Sequence, residues 1–248
     1  MSNCDRSVTL TGNDLNIDRF AMASALVERA QSHKEWIGDD HGDRYEEALV
    51  SGAIPEEMQI VIKEIFDHLR AALDYCAQEV WRHFSGNPQG AKVYFPIAKK
   101  GTRENEFLSI MNRLMPGVAR ASSPAYEAFK SFQAFADQDN SWLPELATVV
   151  NQTKHFHLQV ASIPQRSIVF AHNGNGVSLM SFAEGHAPSR GTAPWMMIKA
   201  TQSEIERGGT FDVAFLQLTD IQMELRLFLH EAISGVSRVI EECRKLVT

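Results

Sequence analysis

Residues 55–85 read PEEMQIVIKEIFDHLRAALDYCAQEVWRHFS, and this stretch decides the fold. Met58, Ile62, Ile65, Leu69, Ala72, Cys76 and Val80 recur at intervals of 4, 3, 4, 3, 4 and 4. That is the period of an α-helix with one apolar face. Pro55 suits the first turn, where its missing N–H would have no helical partner anyway. Gly86-Asn87-Pro88 ends the run. At about 1.5 Å per residue the helix is about 45 Å long. A stripe of that length is buried only by packing against other helices.

A second stripe closes the chain. Ile221, Leu225, Phe228, Ala232, Val236, Val239 and Cys243 predict a long helix from Thr219 to about Leu246. Shorter helices fill the space between. One runs from a cap at Asp14 or Asn16 to His33–Trp36, with Ile17, Phe20, Ala21 and Val27 among its apolar positions. Arg44–Ser51 reads as a short strand or an extended crossing. Val93-Tyr94-Phe95-Pro96-Ile97 is extended, because the residue before a proline avoids the helical region. Thr102 is expected to cap a helix burying Phe107, Leu108, Met111, Leu114 and Met115. Ser123-Pro124 opens another, with Phe129, Phe132, Phe135 and Ala136 inward, and Ser141–Glu145 starts the next, carrying Leu143, Leu146 and Val150.

From Leu158 the period changes. Leu158–Ile163, Ser167–His172, Val177–Ala183, Trp195–Ala200 and Phe211–Leu218 are short and rich in β-branched and large apolar residues. Asn173-Gly174-Asn175-Gly176 lies between the second and third, a strong hairpin signal. The fold class is therefore mainly α with a small β insertion (α+β). It is expected to be one domain over residues 1–248, an antiparallel helical bundle with an antiparallel β-meander at about 158–218 before the last long helix.

Composition narrows the function. The chain has 248 residues, 31 acids and 24 Lys and Arg, for a net charge of −7. The first 60 residues hold 12 acids and five bases, which accounts for all of it; the remainder holds 19 of each. A protein that coats nucleic acid is normally basic, so contact with RNA here requires a local patch. The densest basic cluster is Lys99-Lys100-Gly101-Thr102-Arg103, which reads first as a solvated loop before a helix. No apolar run reaches the roughly 18–20 residues that span a membrane, and the first residues carry no secretory pattern. Cys4, Cys76 and Cys243 form no zinc or redox motif; widely spaced reduced thiols fit a cytoplasmic protein. No phosphate-binding glycine loop, dinucleotide fingerprint or nucleophile elbow is present, so no cofactor is read. His155 and His157 have no acidic or cysteine neighbour in sequence, so no metal is expected.

Two constellations carry chemistry. Arg70 lies three residues after Asp67 and four before Asp74, so the three share a helical face. They form either an ion-pair ladder or a phosphate clamp. Asn151, Lys154 and His155 crowd one face at the end of a predicted helix. An imidazole takes a proton from a ribose 2′-hydroxyl near neutral pH, an ammonium stabilises a pentavalent phosphate, and an amide orients either. The structural alternative is a helix C-terminus where Lys and His offset the dipole.

The motifs also come in an order. His68-Leu69-Arg70-Ala71-Ala72-Leu73-Asp74 is followed by Phe95-Pro96-Ile97, Gln133-Ala134-Phe135, Asn151-Gln152-Thr153-Lys154-His155 and Thr210-Phe211-Asp212-Val213-Ala214-Phe215. Over residues 55–246 this order resembles a family of uncharacterised bacterial proteins that is itself similar to the HEPN superfamily of helical bundles. The resemblance implies an RNA- or nucleotide-binding protein, a metal-independent endoribonuclease of toxin or phage-defence type, and a homodimer. It implies a catalytic Arg followed within a few residues by a His. Arg70 matches the Arg; Tyr75 stands where the His belongs, and tyrosine is a poor base at neutral pH. The working set is then His155 as acid/base, Arg70 and Lys154 on phosphate, and Asn151 orienting. The alternative is a non-catalytic interaction or dimerisation module.

Overall fold

The computed structural model describes residues 18–38, 44–85, 92–151, 158–165, 168–173, 176–181, 197–199 and 211–248. The fold is mainly helical, with a small antiparallel β insertion before the last helix. The helices are α1 (Arg19–Gly38), α2 (Arg44–Ser51), α3 (Glu56–Ser85), α4 (Glu104–Leu114), α5 (Val118–Ala121), α6 (Ser123–Ser131), α7 (Trp142–Asn151) and α8 (Leu225–Val247). Strands β1 (Leu158–Gln165), β2 (Ile168–Asn173), β3 (Gly176–Ser181), β4 (Met197–Lys199), β5 (Phe211–Leu218) and β6 (Met223–Glu224) lie between α7 and α8.

All seven stripe positions of α3 are fully buried, as are Leu225, Phe228, Ala232, Val236, Val239 and Cys243 of α8. α3 packs chiefly on α1, then on α8 and α7. α1 runs antiparallel to α3: Arg19 at its start meets Glu79, and His33 near its end meets Glu64. α1 also opposes α8, with Arg244 hydrogen-bonded to Ser24 at 3.1 Å. The two long helices run parallel to each other. The Phe66 and Phe228 rings pack at a tilt with centroids 5.7 Å apart, and further along both helices the Cys76 and Cys243 thiols are in contact. The long connection through the sheet returns the chain to the end where α3 began and so permits this arrangement. Gly235 lets α8 approach α7, since a Cβ there would lie 2.2 Å from the Trp142 ring.

Several boundaries differ from the sequence expectation. Arg44–Ser51 is a helix. Tyr45, Ala48 and Leu49 are buried at helical spacing, and Glu46 and Glu47 sit favourably in its first turn. Asp14 and Asn16 lie outside the described residues; Asp18 accepts the Ala21 N–H at 3.0 Å. Ala21 is exposed and Ala23 takes the inward position. Arg103, rather than Thr102, precedes α4, and its N–H is taken by Glu106 at 3.1 Å. Leu108 points outward.

The last helix begins at Leu225 and not at Thr219. Residues 219–222 form a turn in which Gln222 has φ 56°, and Glu224 caps α8 by accepting the Arg226 and Leu227 N–H groups at 3.0 and 2.7 Å. Glu224 also accepts from the Tyr45 hydroxyl, which itself accepts the Leu216 N–H at 3.0 Å. The Arg226 guanidinium lies 4.0 Å over the Tyr45 ring. This buried group ties α2 to the sheet and to the start of α8.

The β2–β3 hairpin forms with Asn173 paired to Gly176. The larger sheet is not a run of consecutive neighbours. β5 is central, antiparallel to β1 from Leu158↔Leu218 to Gln165↔Phe211, with β4 and β6 also paired to it. Phe215 and Leu216 are both buried, which requires cover on both faces of β5. No helix among the described residues is long and apolar enough to cross a membrane.

Candidate functional site

Arg70 and Asp74 are one turn apart on α3 and form an ion pair at 3.0 Å, with their side chains 23% and 19% exposed. Asp74 accepts the Phe95 N–H at 2.8 Å, and Arg70 donates to the Phe95 carbonyl at 3.4 Å. The pair thus satisfies both backbone polar groups of a residue that has no strand beside it. Burial pushes the Asp74 carboxyl up, with Arg70 and the Phe95 N–H opposing. Asp67 does not join them; it pairs with Lys63 at 3.5 Å.

The same segment is held from the other side. Gln133, 1% exposed, accepts the Ala98 N–H at 2.9 Å and donates to the carbonyls of Pro96 at 3.0 Å and Phe129 at 2.8 Å. The Phe95 ring packs on Phe129 and Phe132 at 5.2 and 6.3 Å. Three of the sequence motifs, Arg70/Asp74, Phe95-Pro96-Ile97 and Gln133, are therefore parts of one lock.

Asn151 is the last residue of α7 and is exposed. Lys154 and His155 lie outside the described residues, as does His157. Tyr75 is half-buried and packs against the core. His68 stacks on His33 of α1 with centroids 5.6 Å apart and rings 7° from parallel. Its Nδ1 is buried without a hydrogen-bond partner. Burial, then the neighbouring His33, hold its pKa below the usual value. Lys99 and Lys100 are exposed in a turn closed by Thr102 N–H to the Lys99 carbonyl at 3.0 Å.

A site that the sequence did not disclose lies at the opposite end of the α1–α3 interface. A cleft of about 330 Å³ is lined by Arg19 of α1, Gln78, Trp81 and Arg82 of α3, and Lys92 and Tyr94 of the extended segment. Glu79, 8% exposed, organises its cations. Arg19 Nη1 bonds one carboxylate oxygen at 3.3 Å, and Arg82 reaches the carboxylate through Nε at 3.2 Å and through Nη2. Burial pushes the Glu79 carboxyl up, but the two guanidiniums outweigh it and hold it below the ordinary range. Three cations against one carboxylate leave the cleft at about +2 by formal charge. Trp81 is fixed by its Nε1–H to the Pro116 carbonyl at 3.0 Å, and Tyr94 is 46% exposed. The arrangement suits a small anion that carries an apolar or aromatic part. The cations stand at 19, 82 and 92, too far apart in sequence to read as a cluster.

Comparison with protein-family models, with curated proteins and with solved structures found no match.

Proposed function

We propose that this chain is a HEPN-like helical protein that binds RNA or a nucleotide. The observation that supports this best is the cleft lined by Arg19, Arg82 and Lys92, which concentrates positive charge on an otherwise acidic chain. The catalytic form of the reading is a metal-independent ribonuclease. In it His155 is the acid/base, Lys154 offsets phosphate charge and Asn151 orients the scissile group. Arg70, committed to Asp74 and Phe95, then contributes through the shape of the fold.

Cleavage of labelled mixed-sequence RNA in EDTA tests the catalytic form. Cleavage by the wild type that is lost in His155→Ala is the expected result. Cleavage that persists in His155→Ala removes the assignment of the base, and no cleavage leaves binding alone.

A second reading, a homodimer or docking module, draws on Val50 and Ile60, which are 71% and 52% exposed near the start of α3. Light scattering at increasing protein concentration, with Val50→Asp and Ile60→Asp, decides it. Dimers that both variants dissolve support the homodimer form, and a monomer at all concentrations removes that form.

A further inference from the structure

We propose that the cleft between α1, the end of α3 and residues 92–94 binds a single nucleotide, with its phosphate among Arg19, Arg82 and Lys92 and its base against Tyr94. This rests on the RNA- or nucleotide-binding reading above and narrows it to the mononucleotide class.

Charge is the first argument. A phosphate monoester near neutral pH carries a charge of about −1.5 to −2. That matches the formal surplus left when Glu79 is set against the three cations. Geometry is the second. A guanidinium has five N–H donors. Glu79 takes one from Arg19 and two from Arg82, so donors remain on both. The Arg19 and Arg82 side chains are 28% and 42% exposed, so both reach solvent while Glu79 fixes their orientation. Pre-oriented donors lower the ordering cost of binding. Lys92 adds a mobile point charge.

The rest of the lining fits a nucleoside. Tyr94 presents an exposed ring held on a fixed backbone, its N–H bonded to the Leu114 carbonyl at 3.3 Å. Base–aromatic stacking is a sequence-tolerant source of affinity. Gln78 supplies both a donor and an acceptor for a base edge or a sugar hydroxyl. Size and surroundings argue against a strand. A volume of about 330 Å³ is at the small end of ligand sites. A polynucleotide needs a basic groove that follows its backbone. This chain offers 24 bases against 31 acids.

The experiment is isothermal titration of the full chain at low salt. The probes are the four nucleoside 5′-monophosphates, adenosine, inorganic phosphate and a 12-nucleotide single-stranded RNA. The variants Lys92→Gln and Tyr94→Ala alter exposed side chains, and Lys99→Gln is the control. At least one monophosphate is expected to bind about tenfold more tightly than inorganic phosphate or adenosine. Lys92→Gln and Tyr94→Ala each weaken it about fivefold or more, and Lys99→Gln leaves it unchanged.

Equal affinity for the monophosphates and inorganic phosphate overturns the base contact and with it the inference. RNA binding far above the monophosphates, with a salt dependence of several phosphates, overturns the mononucleotide class but leaves the broader reading standing. No binding by any probe overturns both.

Discussion

Arg70 is the residue on which the sequence left two readings open, and its partners in the structure are those of an ion pair. Its guanidinium faces a carboxylate and a carbonyl that both belong to the protein, the first at 3.0 Å and the second at 3.4 Å. Replacing it with Ala leaves the Asp74 carboxylate without a cation and the Phe95 carbonyl without its side-chain donor. We expect Arg70→Ala to destabilise the fold by about 1–3 kcal/mol, the cost of a partly buried polar group left unsatisfied. A shift in the urea midpoint at constant slope measures it. A change within about 0.5 kcal/mol would mean that the clamp does not hold the 95–98 segment. Gln133 makes the same point in a neutral form. Nothing in Phe132-Gln133-Ala134 distinguishes it from a surface glutamine, yet three backbone groups depend on it.

Among the elements, the α1–α3 interface is the most informative. It carries a nearly parallel His33–His68 stack at one end and the Arg19–Glu79–Arg82 group at the other. His68 is held below its usual pKa by burial, by His33 and by Arg29, against the pull of Glu64 and Asp67. The unfolded chain therefore binds the His68 proton more tightly than the folded one. Stability from this group is complete above the unfolded value of about 6.5 and falls as pH drops below it. Raised carboxylates, among them Glu145 and Glu231, titrate with the opposite sign, so the comparison must be made against a variant. Between pH 7.5 and 5.5 we expect the wild type to lose more thermal stability than His68→Gln. Equal losses would remove His68 as the cause. The Cys76–Cys243 contact belongs to the neighbouring α3–α8 interface. Both thiols are fully buried, and the Cys76 hydrogen bond and burial push the Cys243 thiol well up, which disfavours the reactive thiolate.

At the scale of the whole molecule, charge and shape act together. The net charge of −7 comes from the first 60 residues, so contact with nucleic acid requires local basic patches such as the cleft lined by Arg19, Arg82 and Lys92. We therefore expect no mobility shift of a 30-base-pair DNA duplex at about 150 mM salt. A stable shift at that salt would mean that an extended basic surface exists. The sheet poses a different whole-molecule question. Its central strand pairs with the first strand of the insertion across more than 45 positions of intervening chain, and no local signal encodes such a pairing. Strand existence was legible in β-branched residues and hairpin glycines. Strand order was not, because it follows from backbone pairing between segments far apart in the chain.

The sequence was enough to read the helical class, the two long stripes, the hairpin at Asn173–Gly176 and the extended Phe95 segment. Each depends on periodicity or on turn chemistry within a few residues, and burial then acts on a face already defined. It misread Arg44–Ser51, where eight residues are too few to separate a helical period from an alternating one. Three outcomes came from packing in space: the long helices run parallel, Arg70 serves Phe95, and Arg19, Arg82 and Lys92 line one cleft. Those outcomes bring together residues 25, 63 and 73 positions apart, around a buried glutamate whose partners come from two helices. Electrostatic and hydrogen-bond partners are chosen by distance in space, and the linear sequence does not encode that distance locally.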